Sequence, residues 1–138
     1  MDSNVRTRAG IAAVLASIAF LALADDVPVF RHGMWNFVRT IESSGGARSI
    51  ANKTCTNPTE DMKKQHQMSG KVGCSISPVT KSGNSYTFVA SCSVQGQPVE
   101  SKSTITVESD SAYKIRVESK AAGQTTKELL VATRSGDC

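Results

Sequence analysis

Residues 85–120 read SYTFVASCSVQGQPVESKSTITVESDSAYKIRVESK, and the alternation within them decides the fold. In 85–94 the apolar residues are even-numbered: Tyr86, Phe88, Ala90, Cys92 and Val94. In 99–108 they are odd-numbered (Val99, Ile105, Val107), and in 112–120 odd again (Tyr113, Ile115, Val117). A period of two marks a strand that buries one face. Strands joined by hairpins must turn their apolar sets to the same side, because a slip of one residue would flip a whole strand. An odd-length loop at Ser109-Asp110-Ser111 satisfies this, setting Val107 against Tyr113 and Ile105 against Ile115. The same register opposes Lys102 to Glu118 and Glu100 to Lys120, each pair worth roughly 0.2–1 kcal/mol. The charged side is therefore a solvated sheet surface rather than a binding patch.

Working outward, 72–80 and 125–134 carry the same alternation, so five strands form a meander from Lys71 onward. A three-residue loop at Ser82-Gly83-Asn84 pairs Lys81 with Ser85, and counting back sets Cys74 opposite Cys92. Residues so opposed lie about 4.5–5.5 Å apart at Cα, within reach of a disulfide. Toward the N-terminus, Met34–Glu42 carries Trp35, Phe37 and Ile41, turns at Ser43-Ser44-Gly45-Gly46, and leads into a weaker strand at Ala47–Thr54. Asn57 as N-cap, Pro58 at the first helical position, and Glu60 with Asp61 in the first turn predict a helix over Pro58–Met68. It stops near Gly70, with Met62 and Met68 toward a core and His66 on its polar side. The expected fold is mainly β: a curved antiparallel meander of about seven strands, half-open and barrel-like, with one short helix.

The chain begins with an address. Arg6 and Arg8 precede an uncharged run from Gly10 to Leu23, and Ala22-Leu23-Ala24 is followed by Asp25-Asp26. A basic start, a short apolar core and a small-x-small end are the parts of a secretory signal peptide. The run falls short of the roughly 20 residues a membrane span needs. The expected organisation is a signal peptide over 1–24 and a single β-rich, disulfide-bonded domain over 25–138, with no stable membrane span once the leader is removed. Export to the periplasm or beyond changes how the four cysteines are read, since an oxidising compartment turns an even number of cysteines into disulfides. With Cys74 and Cys92 paired, elimination leaves Cys55 with Cys138, tying the helix entrance to the chain end. A zinc site is the alternative, but Cys-x-x-Cys and His-x-x-x-His spacings are absent and His32 and His66 stand alone in the sequence.

Several functions are disfavoured. Sixteen Lys+Arg against twelve Asp+Glu gives +4, too small and scattered a charge to indicate nucleic acid. Sheet platforms that read nucleic acid also need clustered aromatics among basic residues, whereas Tyr86 and Phe88 share a face with Cys92 and Val94. Nucleophile elbow, P-loop, dinucleotide turn and His-Glu-x-x-His motif are missing, and Ser69-Gly70-Lys71 lacks the upstream glycine of a phosphate cradle. Asn52-Lys53-Thr54 fits a glycosylation sequon, a motif common by chance.

The order of marks resembles a known family. Gly33-Met-Trp35 opens a strand, Thr54-Cys55-Thr-Asn-Pro58 precedes the helix, and Cys74 precedes the Lys81–Asn84 turn. A strand ending in Cys92 follows, then Ser109–Tyr113, then Arg134-Ser-Gly-Asp-Cys138. Across residues 31–138 this is similar to small exported bacterial proteins grouped as domain of unknown function 3617. The sequence departs from that pattern at Thr59, which stands between Pro58 and Glu60, and in its glycine-poor 99–108 strand. The resemblance implies a Gram-negative envelope protein of β-rich fold whose disulfides are structural, and it supplies no activity, cofactor or catalytic residue.

The expected function is a non-enzymatic exported protein with no metal or cofactor. Its apolar face, Trp35, Phe37, Tyr86, Phe88, Ile105, Val107, Tyr113 and Ile115, either fills a core or forms a concave surface for a small hydrophobic ligand. The alternative is an envelope protein-interaction or stress-related accessory module. A hydrolase would need paired carboxylates in a cleft, and the sequence offers no such pair.

Overall fold

The computed structural model describes residues 27–138; the expected signal peptide lies outside them. Two strands lead, β1 (Gly33–Ser43) and β2 (Gly46–Thr56), joined as a hairpin. Helix α1 (Pro58–Lys71) follows, then two short strands, β3 (Cys74–Ile76) and β4 (Thr80–Ser82). The long meander completes the chain: β5 (Ser85–Val94), β6 (Gln97–Ser109), β7 (Ala112–Ala121) and β8 (Gln124–Gly136). All pairings are antiparallel. The order β2-β1-β8-β7-β6-β5-β3, with β4 also on β5, makes one open eight-stranded sheet rather than a closed barrel.

The registers expected from alternation hold. Val107 opposes Tyr113, Ile105 opposes Ile115, and Lys102 opposes Glu118. The turn itself is tighter than three residues, since Ser109 pairs with Ala112 and a bulge at Glu108 restores the phase. Cys74 does face Cys92, by a route that differs twice from the expected one. The hairpin closes on two residues, Gly83-Asn84, so Ser82 pairs with Ser85. An extra residue at Pro78-Val79 then moves the register by one, because proline cannot donate to the ladder. The two differences cancel, and that break divides the expected 72–80 strand in two, giving eight strands instead of seven. Two hairpins close on two-residue turns with both central residues at positive φ: Gln95-Gly96 (51° and 76°) and Ala122-Gly123 (50° and 75°). Such turns match the right-handed twist of the strands they join.

Helix α1 starts as its sequence dictates. The Asn57 side chain accepts from the Thr59 N–H at 3.1 Å, Pro58 takes the first turn, and Glu60 and Asp61 meet the positive end of the helix dipole. It runs one turn beyond Met68, through Gly70, before Val72 N–H closes on the carbonyls of Met68 and Ser69. Met62 packs against the core, whereas Met68 is 61% exposed, contrary to expectation. Six helical residues turn the chain by about 600°, so two methionines at that spacing cannot share a face.

The core sits at one end of the helix-covered face. Trp35 is wholly buried, with Phe30, Tyr113, Ile105 and Ala132 around it. The Phe30 and Tyr113 rings stack at 4.4 Å, and the Trp35 indole lies 5.5 Å from Tyr113 and edge-on to Phe30 at 6.0 Å. Phe30 precedes every strand and is held there by Thr59. The Thr59 hydroxyl accepts from Phe30 N–H at 2.8 Å and donates to the Pro28 carbonyl at 3.1 Å, all buried. The residue that departs from the family pattern thus pins the leading segment to the helix start. Thr59→Val is isosteric but strands the Phe30 N–H, so an expected loss of about 1–3 kcal/mol should appear in urea unfolding. Thr59→Ser, which keeps the hydroxyl, should retain most of the stability.

Candidate functional site

All eight residues of the expected apolar face lie on the same side of the sheet, the side α1 covers. The structure divides them by role. Trp35 and Tyr113 close the aromatic end, with Phe37 and Val107 packed against it. Tyr86, Phe88, Ile105 and Ile115 line a cavity of about 410 Å³ between the helix and the rest of the sheet. Leu130, Met62 and Val117 extend its apolar lining.

The helix side of the cavity is polar. Gln65, His66 and Ser69 follow Met62 at spacings of three, four and seven, one face of a helix, and they look across at the sheet. His66 therefore lines the cavity rather than standing apart on a polar side. Helical spacing counted from Met62 was the signal that could have placed it. Arg39 and Glu128 complete the wall, paired at 3.0 Å. Both occupy apolar-phase positions, Arg39 in register with Trp35 and Phe37 on β1, and Glu128 with Leu130 and Ala132 on β8. A charge breaking an apolar alternation is the sequence mark of such a pair. The cavity is consequently amphipathic, with a largely apolar floor that Ser101 and Ser103 interrupt and a hydrogen-bonding roof. In the adjoining aromatic core, burial pushes the Tyr113 phenol far above its ordinary range and the Asp61 carboxylate adds to that, so the ring stays neutral.

The opposite face of the sheet has a shallower depression of about 390 Å³ between Glu42, Lys102, Arg116, Glu118 and Lys127. Charges of both signs alternate there, as expected of a solvated surface.

A second cluster forms where the segment before β1, the end of β2 and the segment after β8 meet. Cys55 and Cys138 are bonded, with Cα atoms 5.8 Å apart, and Cys74 with Cys92 likewise, at 4.1 Å. His32 stands beside the first bond, its Nε2 3.7 Å from Cys55 Sγ. Arg134 organises this corner: its Nε donates to the His32 carbonyl at 2.9 Å and its guanidinium pairs with Asp137. A Cβ on Gly33 would strike both the Arg134 side chain and the Gly136 carbonyl, which is why glycine stands there. The sequence marks Gly33-Met-Trp35 and Arg134–Cys138 are thus two halves of one contact. Register arithmetic found Cys74–Cys92 and elimination Cys55–Cys138, but His32 comes beside the latter only through the pairing of β1 with both β2 and β8.

These features define a class: an open antiparallel sheet, braced by two disulfides, with one helix held over an amphipathic cavity. Residues 30–138 match the family described as "Protein of unknown function (DUF3617)", and the chain belongs to it. No curated protein and no solved structure matches the chain. Among the described residues no helix is long and apolar enough to cross a membrane.

Proposed function

We propose that this is an exported, non-enzymatic binding protein that takes a small hydrophobic or amphipathic ligand into the cavity beneath α1. The observation that carries the reading is the cavity itself. Its volume of about 410 Å³ falls in the range of small-molecule sites, roughly 300–1,000 Å³, and like them it combines a mainly apolar lining with polar groups able to orient a ligand. Tyr86, Phe88, Ile105 and Leu130 would take the apolar body, and Gln65, His66 and Ser69 would fix the polar end. The two disulfides suit an oxidising compartment, in keeping with the leader-like start of the sequence.

The test is native mass spectrometry of protein recovered from its export compartment, paired with binding of a fluorescent anilinonaphthalene probe. Ala90 lines the cavity, and Ala90→Phe should fill part of it. The expected results are an adduct that dissociates under gentle activation, and at least a tenfold loss of probe affinity in Ala90→Phe with an unchanged unfolding midpoint. Wild-type protein with neither adduct nor probe binding would overturn the reading.

A second reading rests on β2, the sheet's edge strand, exposed along ten of its eleven residues. An edge of that length can accept a strand from an envelope protein. A partner lost on Ile50→Lys but kept by Ala90→Phe would favour it.

A further inference from the structure

We propose that His32, Cys55 and Cys138 form a zinc site that becomes available when the Cys55–Cys138 disulfide is reduced. Their ligand atoms, one imidazole nitrogen and two sulfurs, all lie within 4.8 Å of one another. A tetrahedral zinc with Zn–S of about 2.3 Å and Zn–N of about 2.0–2.1 Å sets its ligands roughly 3.6 Å (N to S) and 3.8 Å (S to S) apart. The His32–Cys55 separation of 3.7 Å already has the bound value. Only the two sulfurs have to part, and the chain allows it: Cys138 lies past the end of β8, and all three residues are exposed.

The surroundings hold the site together when the bond opens. The His32 carbonyl is fixed by Arg134 Nε, whose side chain is 10% exposed and also pairs with Asp137, the neighbour of Cys138. Cys55 stays in register opposite Met34, two residues from His32. Ligands oriented by such outer contacts bind metal more tightly than free side chains. The group also differs from the other cysteine pair, for among the described residues no histidine or carboxylate completes a comparable set with Cys74 and Cys92.

The chemistry balances in two steps. A dithiol reductant gives two electrons to the S–S bond; the Cys55–Cys138 bond breaks, a disulfide forms in the reductant, and its two thiol protons pass to the two cysteine sulfurs. Zinc(II) then binds both sulfurs as thiolates, releasing those two protons, together with the neutral His32 nitrogen. Three protein ligands leave the fourth position to water, and the assembled charge of zinc and two thiolates is zero. The site would therefore report the redox state of its compartment, taking zinc when reduced and releasing it when the disulfide reforms. It is independent of the cavity and of whatever the cavity binds.

The full chain, reduced with dithiothreitol and desalted without oxygen, is titrated with zinc alone against a chromophoric chelator. The expected result is one zinc per reduced chain with a one-nitrogen, two-sulfur ligand set by X-ray absorption, and none at that affinity in the oxidised chain. His32→Ala should weaken uptake by more than tenfold while leaving the oxidised protein's unfolding midpoint in place, since the side chain is exposed. Uptake equal in His32→Ala and wild type, an all-sulfur ligand set that draws in Cys74 and Cys92, or no uptake by reduced protein would each overturn the proposal.

Discussion

Replacing Trp35 with alanine is expected to cost about 3–5 kcal/mol, read as a lowered urea midpoint at unchanged slope. The indole is fully buried and touches Phe30, Tyr113 and Phe37. Its N–H donates to the Arg31 carbonyl at 3.0 Å, so truncation leaves both a void and a carbonyl without its partner. Close-packed neighbours on three strands cannot collapse into the space without breaking their own registers. Trp35→Phe should cost distinctly less, and Phe37→Ala, half-buried at the margin, less than Trp35→Ala. Near-native stability of the alanine variant would show that the aromatic end is not what holds the sheet.

Removing the Cys55–Cys138 bond by a double serine substitution is expected to cost about 4–5 kcal/mol, and removing Cys74–Cys92 about 3 kcal/mol. Those figures follow from the chain-entropy model applied to separations of 83 and 18 residues. The longer bridge joins β2 to the chain beyond β8, the two strands that flank β1, so it also fastens the edge of the sheet. Against a total of roughly 5–15 kcal/mol for a domain of this size, the variant should sit close to its unfolding threshold at 37 °C. Unfolding in urea, followed by circular dichroism, gives the order directly. Equal losses at the two sites would remove chain entropy as the cause and leave local strain or packing in its place.

The parts of the fold legible in the sequence were those fixed by neighbours along the chain. Alternation with one buried face determines register, because a slip exposes every apolar residue of a strand at once. Opposed charges at Lys102–Glu118 and Glu100–Lys120 point to that same register. The helix start was equally local, an N-cap, a proline and two carboxylates within five residues. Residue type alone misplaces two helix side chains: apolar Met68 points to solvent and polar His66 to the cavity, because the helical period and not polarity sets which face each occupies. The break at Pro78-Val79 was written in the proline; it divides one expected strand into β3 and β4 yet leaves the Cys74–Cys92 pairing intact.

The candidate sites belong to a different scale. By itself, the sequence determined a mainly β chain, its hairpin registers, its helix and the Cys74–Cys92 disulfide, since each depends on period, turn length or parity over short separations; the Cys55–Cys138 disulfide, 83 residues apart, followed from these only by elimination. Only the tertiary structure decided that β8 returns to pair with β1, leaving β2 and β3 as edges of an open sheet. That pairing brings Arg39 to Glu128, and Arg134 to Gly33 and His32, contacts between residues 89 to 102 positions apart. The cavity lies where Met62 packs against the core and Gln65, His66 and Ser69 face the sheet, on a helix whose start Thr59 ties to the leading segment. Polar side chains keep their hydrogen-bonding groups off an apolar floor, since burying them unpartnered costs free energy. How far a helix stands from a sheet is set by such packing across distant segments, and no local period encodes it.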